Sequence, residues 1–391
     1  MTPIDRIKTF HADLTATRQD IHAHPELGFT EHRTSDVVAQ QLEALGIEVH
    51  RGVGGTGVVG VLREGNGPVS IGLRADMDAL PILEATELPY KSTRPGVMHA
   101  CGHDGHTTML LGAARYLAET RNFNGTVNFI FQPAEEGLGG AQAMLKDDLF
   151  QRFPCDTVFG MHNHPGLPVG KFAIRPGTMM AAGAFFDIHV EGRGAHGARP
   201  EQSIDPVLVA SHIVTALQAI VARNVSPIDT AVVSATAIHA GDAYNVIPQS
   251  AEIRGTVRTF KNETMSLVED NMKRTAAGVA AAFGATANVD FRRLFAPLVN
   301  DPAETAEFAD VAAEIVGEQN VDRERSLIMA SEDFSFMLEA RPGAYINIGN
   351  GDTVGSVPVH NPGYNFNDEI LPLGAAALAG IVEKKLARFV G

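Results

Sequence analysis

The strongest constraint in this chain is a repeated pairing of a short apolar run with a polar cluster at its end. Val69–Arg74 runs into Ala75-Asp76-Met77-Asp78, Thr126–Gln132 into Pro133-Ala-Glu135-Glu136-Gly137, and Thr157–Met161 into His162-Asn163-His164-Pro165. Each run reads as a β-strand, and segments with helical apolar spacing lie between them, at Thr107–Glu119 and near Gly140–Lys146. Alternating strands and helices predict an α/β fold with a mostly parallel sheet. In open sheets of that kind, ligands bind outside the carboxyl ends of the strands. The three clusters are therefore predicted to share one site.

At 391 residues the chain exceeds one ordinary core, so two domains are expected. Helical spacing also covers Asp5–His22 and Thr30–Leu45, and a further strand is predicted at Val58–Arg63. From Ala184 the pattern changes. A strand containing Phe186, Ile188 and Val190 is followed by a helix at Asp205–Arg223 and strands at Thr230–His239 and Ala251–Phe260. A helix at Met265–Phe283 and a strand at Thr286–Arg292 complete it. The order β-α-β-β-α-β is that of a ferredoxin-like unit. The α/β pattern resumes near Asp301, with a helix at Ala303–Val316, a strand at Ala344–Ile348 and a final helix from about Leu373. The expected organisation is a main α/β domain formed by residues 1–183 and 294–391, with a second domain inserted at 184–293.

The formal net charge is −15. Such a surface repels nucleic acid and anionic membrane, so neither is expected as a partner. The first residues lack the apolar core of a signal peptide, and no run of about 18 apolar residues suggests a membrane span. Cys101 and Cys155 are the only cysteines, too few for a disulfide framework. A cytoplasmic protein is expected.

Most of the candidate chemistry lies near His99-Ala-Cys-Gly-His-Asp-Gly-His106. Cys101, His103, Glu136, His162 and His360 offer thiolate, imidazole and carboxylate, the donors of zinc and similar cations. Five donors exceed the need of one tetrahedral catalytic ion. They suit two ions if one ligand and a water bridge them. Taken singly, each has a plainer reading: a buried cysteine as filler, a histidine as a polar cap, adjacent glutamates as solvated charge.

The motifs Leu73-Arg-Ala-Asp-Met-Asp-Ala-Leu-Pro81, His99–His106 and Phe131-Gln-Pro-Ala-Glu-Glu-Gly137 resemble those of the amidohydrolase branch of the M20 metallopeptidases. Met161-His-Asn163, Gly192-Arg-Gly-Ala-His-Gly-Ala-Arg-Pro200, Asn245-Val-Ile-Pro248, Ser331-Glu-Asp-Phe334 and His360-Asn-Pro362 extend the resemblance over nearly the whole chain. The resemblance implies a site for two divalent metal ions (Zn, Mn, Co or Ni) held by Cys101, His103, Glu136, His162 and His360. It makes Glu135 the general base toward a metal-bridging water. It makes the inserted domain a lid and dimerisation surface, from which His196 stabilises the oxyanion while Asn245 and Arg258 hold the substrate carboxylate. Peptidase relatives place a ligand histidine in the motif aligned with Asp76-Met-Asp78. Asp76 and Asp78 are therefore expected to support the ligands from behind.

The implied activity is hydrolysis of N-acyl amino acids, hippurate-like or N-acetylated, by a homodimer or higher homo-oligomer. A dipeptidase or a specific biosynthetic N-acetyl-amino-acid deacetylase is the alternative within the family. A thiol hydrolase with Cys101 as nucleophile, and a non-catalytic binding protein, are rivals from other classes. His22, His24 and Glu26 are expected to cap or tie the N-terminal helices, and Asp104 and His106 to begin a helix; His99 receives no role.

Overall fold

A computed structural model describes residues Thr2–Ala387. A short helix at Pro3–Lys8 is followed by α1 (His11–Ala23), α2 (His32–Ala44), β1 (Glu48–Val53), β2 (Gly57–Glu64), β3 (Ser70–Asp76), α3 (His103–Thr120), β4 (Gly125–Gln132), α4 (Gly140–Lys146) and β5 (Thr157–Pro165). Next come β6 (Ala182–Glu191), α5 (Pro206–Ala219), β7 (Ala231–His239), β8 (Ser250–Thr259), α6 (Asn262–Ala282) and β9 (Thr286–Phe295). The chain closes with α7 (Pro302–Val316), α8 (Phe334–Ala340), β10 (Gly343–Gly351) and α9 (Leu371–Lys385).

The chain divides into two compact units. One comprises 1–179, 299–326 and 333–391, and the other 180–298 with 327–332. The first contains an eight-stranded sheet in the order β1-β2-β4-β3-β5-β10, extended by two-residue strands at Phe172–Ala173 and Val321–Asp322. β4, β3, β5 and β10 run parallel, whereas β1 and β2 form an antiparallel edge. The parallel strands are apolar almost throughout, as burial on both faces requires. α3 packs against α9 so closely that a Cβ on Gly374 would stand 2.0 Å from Met109 Sδ.

In the second unit β6, β7, β8 and β9 form an antiparallel sheet in the order β7-β8-β6-β9. Phe186, Ile188 and Val190 alternate inward and join Val209, Ile213 and Leu217 of α5 and Met265, Val268 and Met272 of α6 in one core. Among the described residues, Pro206–Asn224 is long and apolar enough to span a membrane by composition alone. Its Val209, Ile213 and Leu217 are spent in this core.

Two local expectations are corrected. The single helix predicted over Asp5–His22 is broken between Lys8 and His11, where Phe10 turns inward, 3% exposed. The edge strand β1 was not foreseen. Its polar sequence, Glu-Val-His-Arg-Gly-Val, suits an exposed edge better than the apolar template of a central strand.

A buried ionic cluster ties α1 to the first turn of α3. Arg18 grips Asp368 through Nε and Nη2, both at 2.7 Å. His22 Nδ1 lies 2.8 Å from Asp104 Oδ2, and its Nε2 3.3 Å from Glu84 Oε1. Burial works to lower the His22 pKa, but Asp104 and Glu84 outweigh it and raise it to about 9. A folded-state value above the unfolded one stabilises the fold fully below the unfolded pKa, and that contribution fades as pH rises through the folded value. The urea midpoint of the metal-loaded protein is therefore expected to fall between about pH 6.5 and 9. A His22→Gln variant should start lower, by about 1–3 kcal/mol because Asp104 keeps only the longer contact to Arg18, and show a flatter pH dependence. Parallel curves for the two proteins would refute this role.

Candidate metal centre

The site forms because three parallel strands end side by side. β3 delivers Asp76 and Asp78, β4 delivers Glu135 and Glu136, and β5 carries His162. Cys101 and His103 come from the turn into α3. Gly102 there has φ +96°, and a Cβ on it would stand 2.3 Å from Asn163 Oδ1. Only glycine makes this turn without strain, so that both side chains of Cys-Gly-His face one centre. His360 arrives on a loop whose backbone N–H donates to the Ala100 carbonyl at 2.7 Å.

The ligating atoms fall into overlapping groups, each with its members within 4.8 Å of one another. Cys101, His103 and His162 make one; Cys101, Glu136 and His360 make another; His103, Glu135 and Glu136 make a third. Cys101 belongs to the first two, as a thiolate shared between two cations would. Its Sγ lies 3.4 Å from His162 Nε2, and Glu136 Oε1 lies 3.1 Å from His360 Nε2. His103 Nε2 is buried without a hydrogen-bond partner, and Glu136 Oε1, close as it is to His360, makes no aligned hydrogen bond. A buried polar atom left so is costly unless something else binds it. The donor set and these two atoms fit divalent metal.

The electrostatics agree. Burial raises the Cys101 thiol well above its usual range, and Glu136, Glu135 and Asp76 raise it further. Burial works to lower His103, but Asp76 and Asp78 overcome it and raise the imidazole to about 10. Both directions report a strongly negative centre, which favours a cation. The same field opposes a Cys101 thiolate acting alone as a nucleophile. His162 is held well below its usual pKa by burial and by His106. Its Nδ1 donates to the Asn163 carbonyl at 2.6 Å, which turns the Nε2 lone pair toward Cys101.

Asp76 and Asp78 stand behind these groups. Asp78 Oδ1 is 3.1 Å from His103 Nδ1, and its Oδ2 accepts from the Glu136 backbone N–H at 3.0 Å. Asp76 Oδ1 is 2.6 Å from His106 Nδ1, and the His106 ring lies 4.5 Å, centroid to centroid, from that of His162. Glu135, 6% exposed, accepts from the Asp333 backbone N–H at 3.4 Å. Its predecessor Ala134 has φ +55°. This corner is held by Glu31, whose Oε1 accepts from the Ala134 N–H at 2.8 Å. Burial raises the Glu31 carboxyl to about 7.

The other predicted site residues lie in the second unit. His196 is exposed on a two-residue strand paired with Val246–Ile247, and its Nδ1 accepts from the Ala198 N–H at 3.0 Å. The Gly197 N–H donates to the Asn245 carbonyl at 2.7 Å, so His196 and Asn245 sit on adjoining turns. Arg258, on β8, is half-buried and its pKa is lowered by burial; its Nη1 donates to the Thr256 hydroxyl at 2.5 Å and to the Val257 carbonyl at 3.0 Å. Of the N-terminal group, Glu26 caps α2 by accepting from the Arg33 and Thr34 N–H groups. His24 Nδ1 donates to the Asp20 carbonyl at 2.8 Å, within its own helix turn. His99 is buried, neither ring nitrogen has a protein partner, and burial lowers its pKa to about 4.

Sequence reasoning missed Arg74, Asp333, Glu31 and Asn163. Arg74 did carry a signal: an arginine amid Ile71, Leu73 and Ala75 in a central strand must be buried and paired.

The profile of peptidase family M20/M25/M40 matches residues 72–384. The chain is 46% identical to the hippurate hydrolase of Campylobacter jejuni, over 99% of this chain and 100% of that one. It is 41% identical to the N-acetylcysteine deacetylase of Bacillus subtilis, over 96% and 98%. The solved structure of the Bacillus subtilis YXEP protein, a dinuclear metal binding peptidase from the M20 family, superposes with a TM-score of 0.83 at 36% identity, over 97% and 99%.

An Asp78→Asn variant tests the support of the ligands. It should weaken metal binding by about 10- to 100-fold, read by competition with a fluorescent chelator. Unchanged affinity would remove Asp78 from that role.

Proposed function

The chain belongs to the M20/M25/M40 peptidase family, and we propose that it hydrolyses the amide bond of N-acyl amino acids, releasing a carboxylic acid and a free amino acid. The observation that carries this reading is Cys101 shared between two ligand groups, with the Glu135 carboxylate beside His103 and Glu136. Relatives named for hippurate and N-acetylcysteine support the substrate class.

Cys101, His103, Glu136, His162 and His360 would hold two divalent ions, of zinc, manganese, cobalt or nickel. When bound, such ions polarise an acyl carbonyl and make a coordinated water acidic. Glu135 takes the proton of the attacking water and delivers it to the departing nitrogen, so that the amine leaves neutral. The Asp333 N–H aims the Glu135 carboxylate, and Asp78 fixes the imidazole of His103 and the backbone of Glu136 together.

We assign the second unit as a ferredoxin-like lid and dimerisation domain inserted at 184–293. Its strand order and the family resemblance support this. Within it His196 would stabilise the oxyanion in the site of a second copy. Asn245 and Arg258 would hold the substrate carboxylate, for which a half-buried guanidinium is suited by its bidentate geometry. A homodimer or higher homo-oligomer in the cytoplasm completes the proposal. A second reading rests on the 3.4 Å approach of Cys101 Sγ to His162 Nε2, the spacing of a thiol–imidazole pair.

Chelation distinguishes the two readings: activity should vanish on metal stripping and return with Zn²⁺, Mn²⁺ or Co²⁺, whereas a thiol hydrolase would survive. Glu135→Gln should keep its metal, measured by elemental analysis, and lose at least about 10²-fold in kcat toward N-acyl amino acids. A normal rate would exclude Glu135 as the base. Mixing inactive His196→Ala and Glu135→Gln proteins should restore part of the activity after subunit exchange. No recovery, with exchange demonstrated, would place His196 outside the partner's chemistry.

A further inference from the structure

Arg74 has no part in the chemistry described so far, yet it is a fully buried charge beside the site. It lies in the central strand β3 with its side chain 1% exposed. A charge taken out of water at that depth destabilises the fold unless every donor finds a partner. The partners point in two functional directions. Nη1 donates to Asp76 Oδ2 at 2.8 Å, Nη2 donates to Asp333 Oδ1 at 3.1 Å, and Nε donates to Gln132 Oε1 at 2.8 Å.

The Asp333 arm leads to the base. Asp333 Oδ1 also accepts from Gln132 Nε2 at 2.7 Å, and Oδ2 accepts from the Ala141 N–H at 2.9 Å. Its carboxylate is thus fixed on both oxygens, and the same residue's backbone N–H donates to Glu135 Oε1 at 3.4 Å. The Asp76 arm leads to the ligands. Asp76 Oδ1 holds His106 at 2.6 Å, the His106 ring packs on His162, and Asp76 Oδ2 lies 3.7 Å from His103 Nε2. Phe334 lies beneath the guanidinium, 5.6 Å from Cζ to ring centroid. One rigid, planar cation therefore spans the gap between the residue that aims the base and the residue that holds His106 against His162 and approaches His103.

We propose that Arg74 is a positioning residue of the hydrolysis, locking Asp333, and through it Glu135, in register with the Asp76 side of the metal-ligand cluster. The proposal rests on the reading of Glu135 as the base. A purely structural role would predict loss of stability alone. A positioning role predicts loss of turnover in a folded, metal-loaded enzyme, because a misplacement of about 1 Å in a reacting group costs on the order of 10²-fold in rate. Lysine is not a substitute, since a point charge on a flexible stem cannot hold two carboxylates in a fixed fork.

The test compares full-length, metal-loaded Arg74→Lys, Arg74→Gly and Asp333→Asn proteins with wild type. The substrate is the N-acyl amino acid that wild type turns over fastest. Metal content is read by elemental analysis and folding by circular dichroism. Arg74→Lys is expected to lose about 10- to 100-fold in kcat, with KM within about threefold and full metal content. Guanidinium ion at non-denaturing concentration should restore at least about tenfold of the Arg74→Gly rate, and methylammonium should not. A kcat of Arg74→Lys within about twofold of wild type overturns the proposal, as does a loss that excess metal fully reverses or the absence of guanidinium rescue. If neither Arg74 variant folds, Asp333→Asn decides: a comparable kcat loss at full metal supports the proposal, and a normal kcat overturns it. Glu135→Gln run in parallel separates the two readings. An active Glu135→Gln protein sinks the base assignment, whereas an inactive one beside a fast Arg74→Lys protein sinks only the role of Arg74.

Discussion

The concentration of negative charge at the carboxyl ends of β3 and β4 is the constraint on which the rest of the site depends. Asp76, Asp78, Glu135 and Glu136 stand within a few residues of one another's strand ends, and Cys101 adds a potential fifth negative group. Side by side and unneutralised they would repel one another in a poorly hydrated pocket. The fold answers partly with its own cations and donors: Arg74 takes Asp76 and Asp333, His106 takes Asp76, and the backbone of Glu136 takes Asp78. What is left unneutralised faces the ligand atoms, where burial and charge together raise Cys101 and His103. The site is built so that a divalent cation completes its charge balance.

Much of this could be read from the chain. The strands that end in clusters were recognisable because parallel strands are apolar over their length and change character abruptly at their ends, as Gln132-Pro133 and Met161-His162 do. The β-α-β-β-α-β order of the second unit was legible because its strands alternate cleanly, with Phe186, Ile188 and Val190 facing one way. Family motifs supplied the ligand set, and the structure brings all five donors into groups that share Cys101.

What escaped reading was long-range pairing. Arg74 and Asp333 are separated by 259 positions, and Glu31 reaches Ala134 across 103. No local periodicity encodes such contacts. A buried charge in an apolar strand announces that it has a partner but not which one. The break at Thr9–Phe10 was hidden for a different reason: the helical spacing of apolar residues continues across it, while Phe10 turns into the core.

Ala134 carries one further consequence. Its left-handed backbone is unfavourable for any residue with a Cβ, by about 1–3 kcal/mol, and the chain keeps alanine there although glycine would relieve the cost. Glycine would also let the corner before Glu135 sample other conformations, and the two glutamates would part company with their supports. The methyl group thus narrows the corner's conformations at a cost in stability. Attempts to make this protein more heat-resistant by easing its strained positions would meet their limit at this corner, where a more durable chain would be a less exacting catalyst.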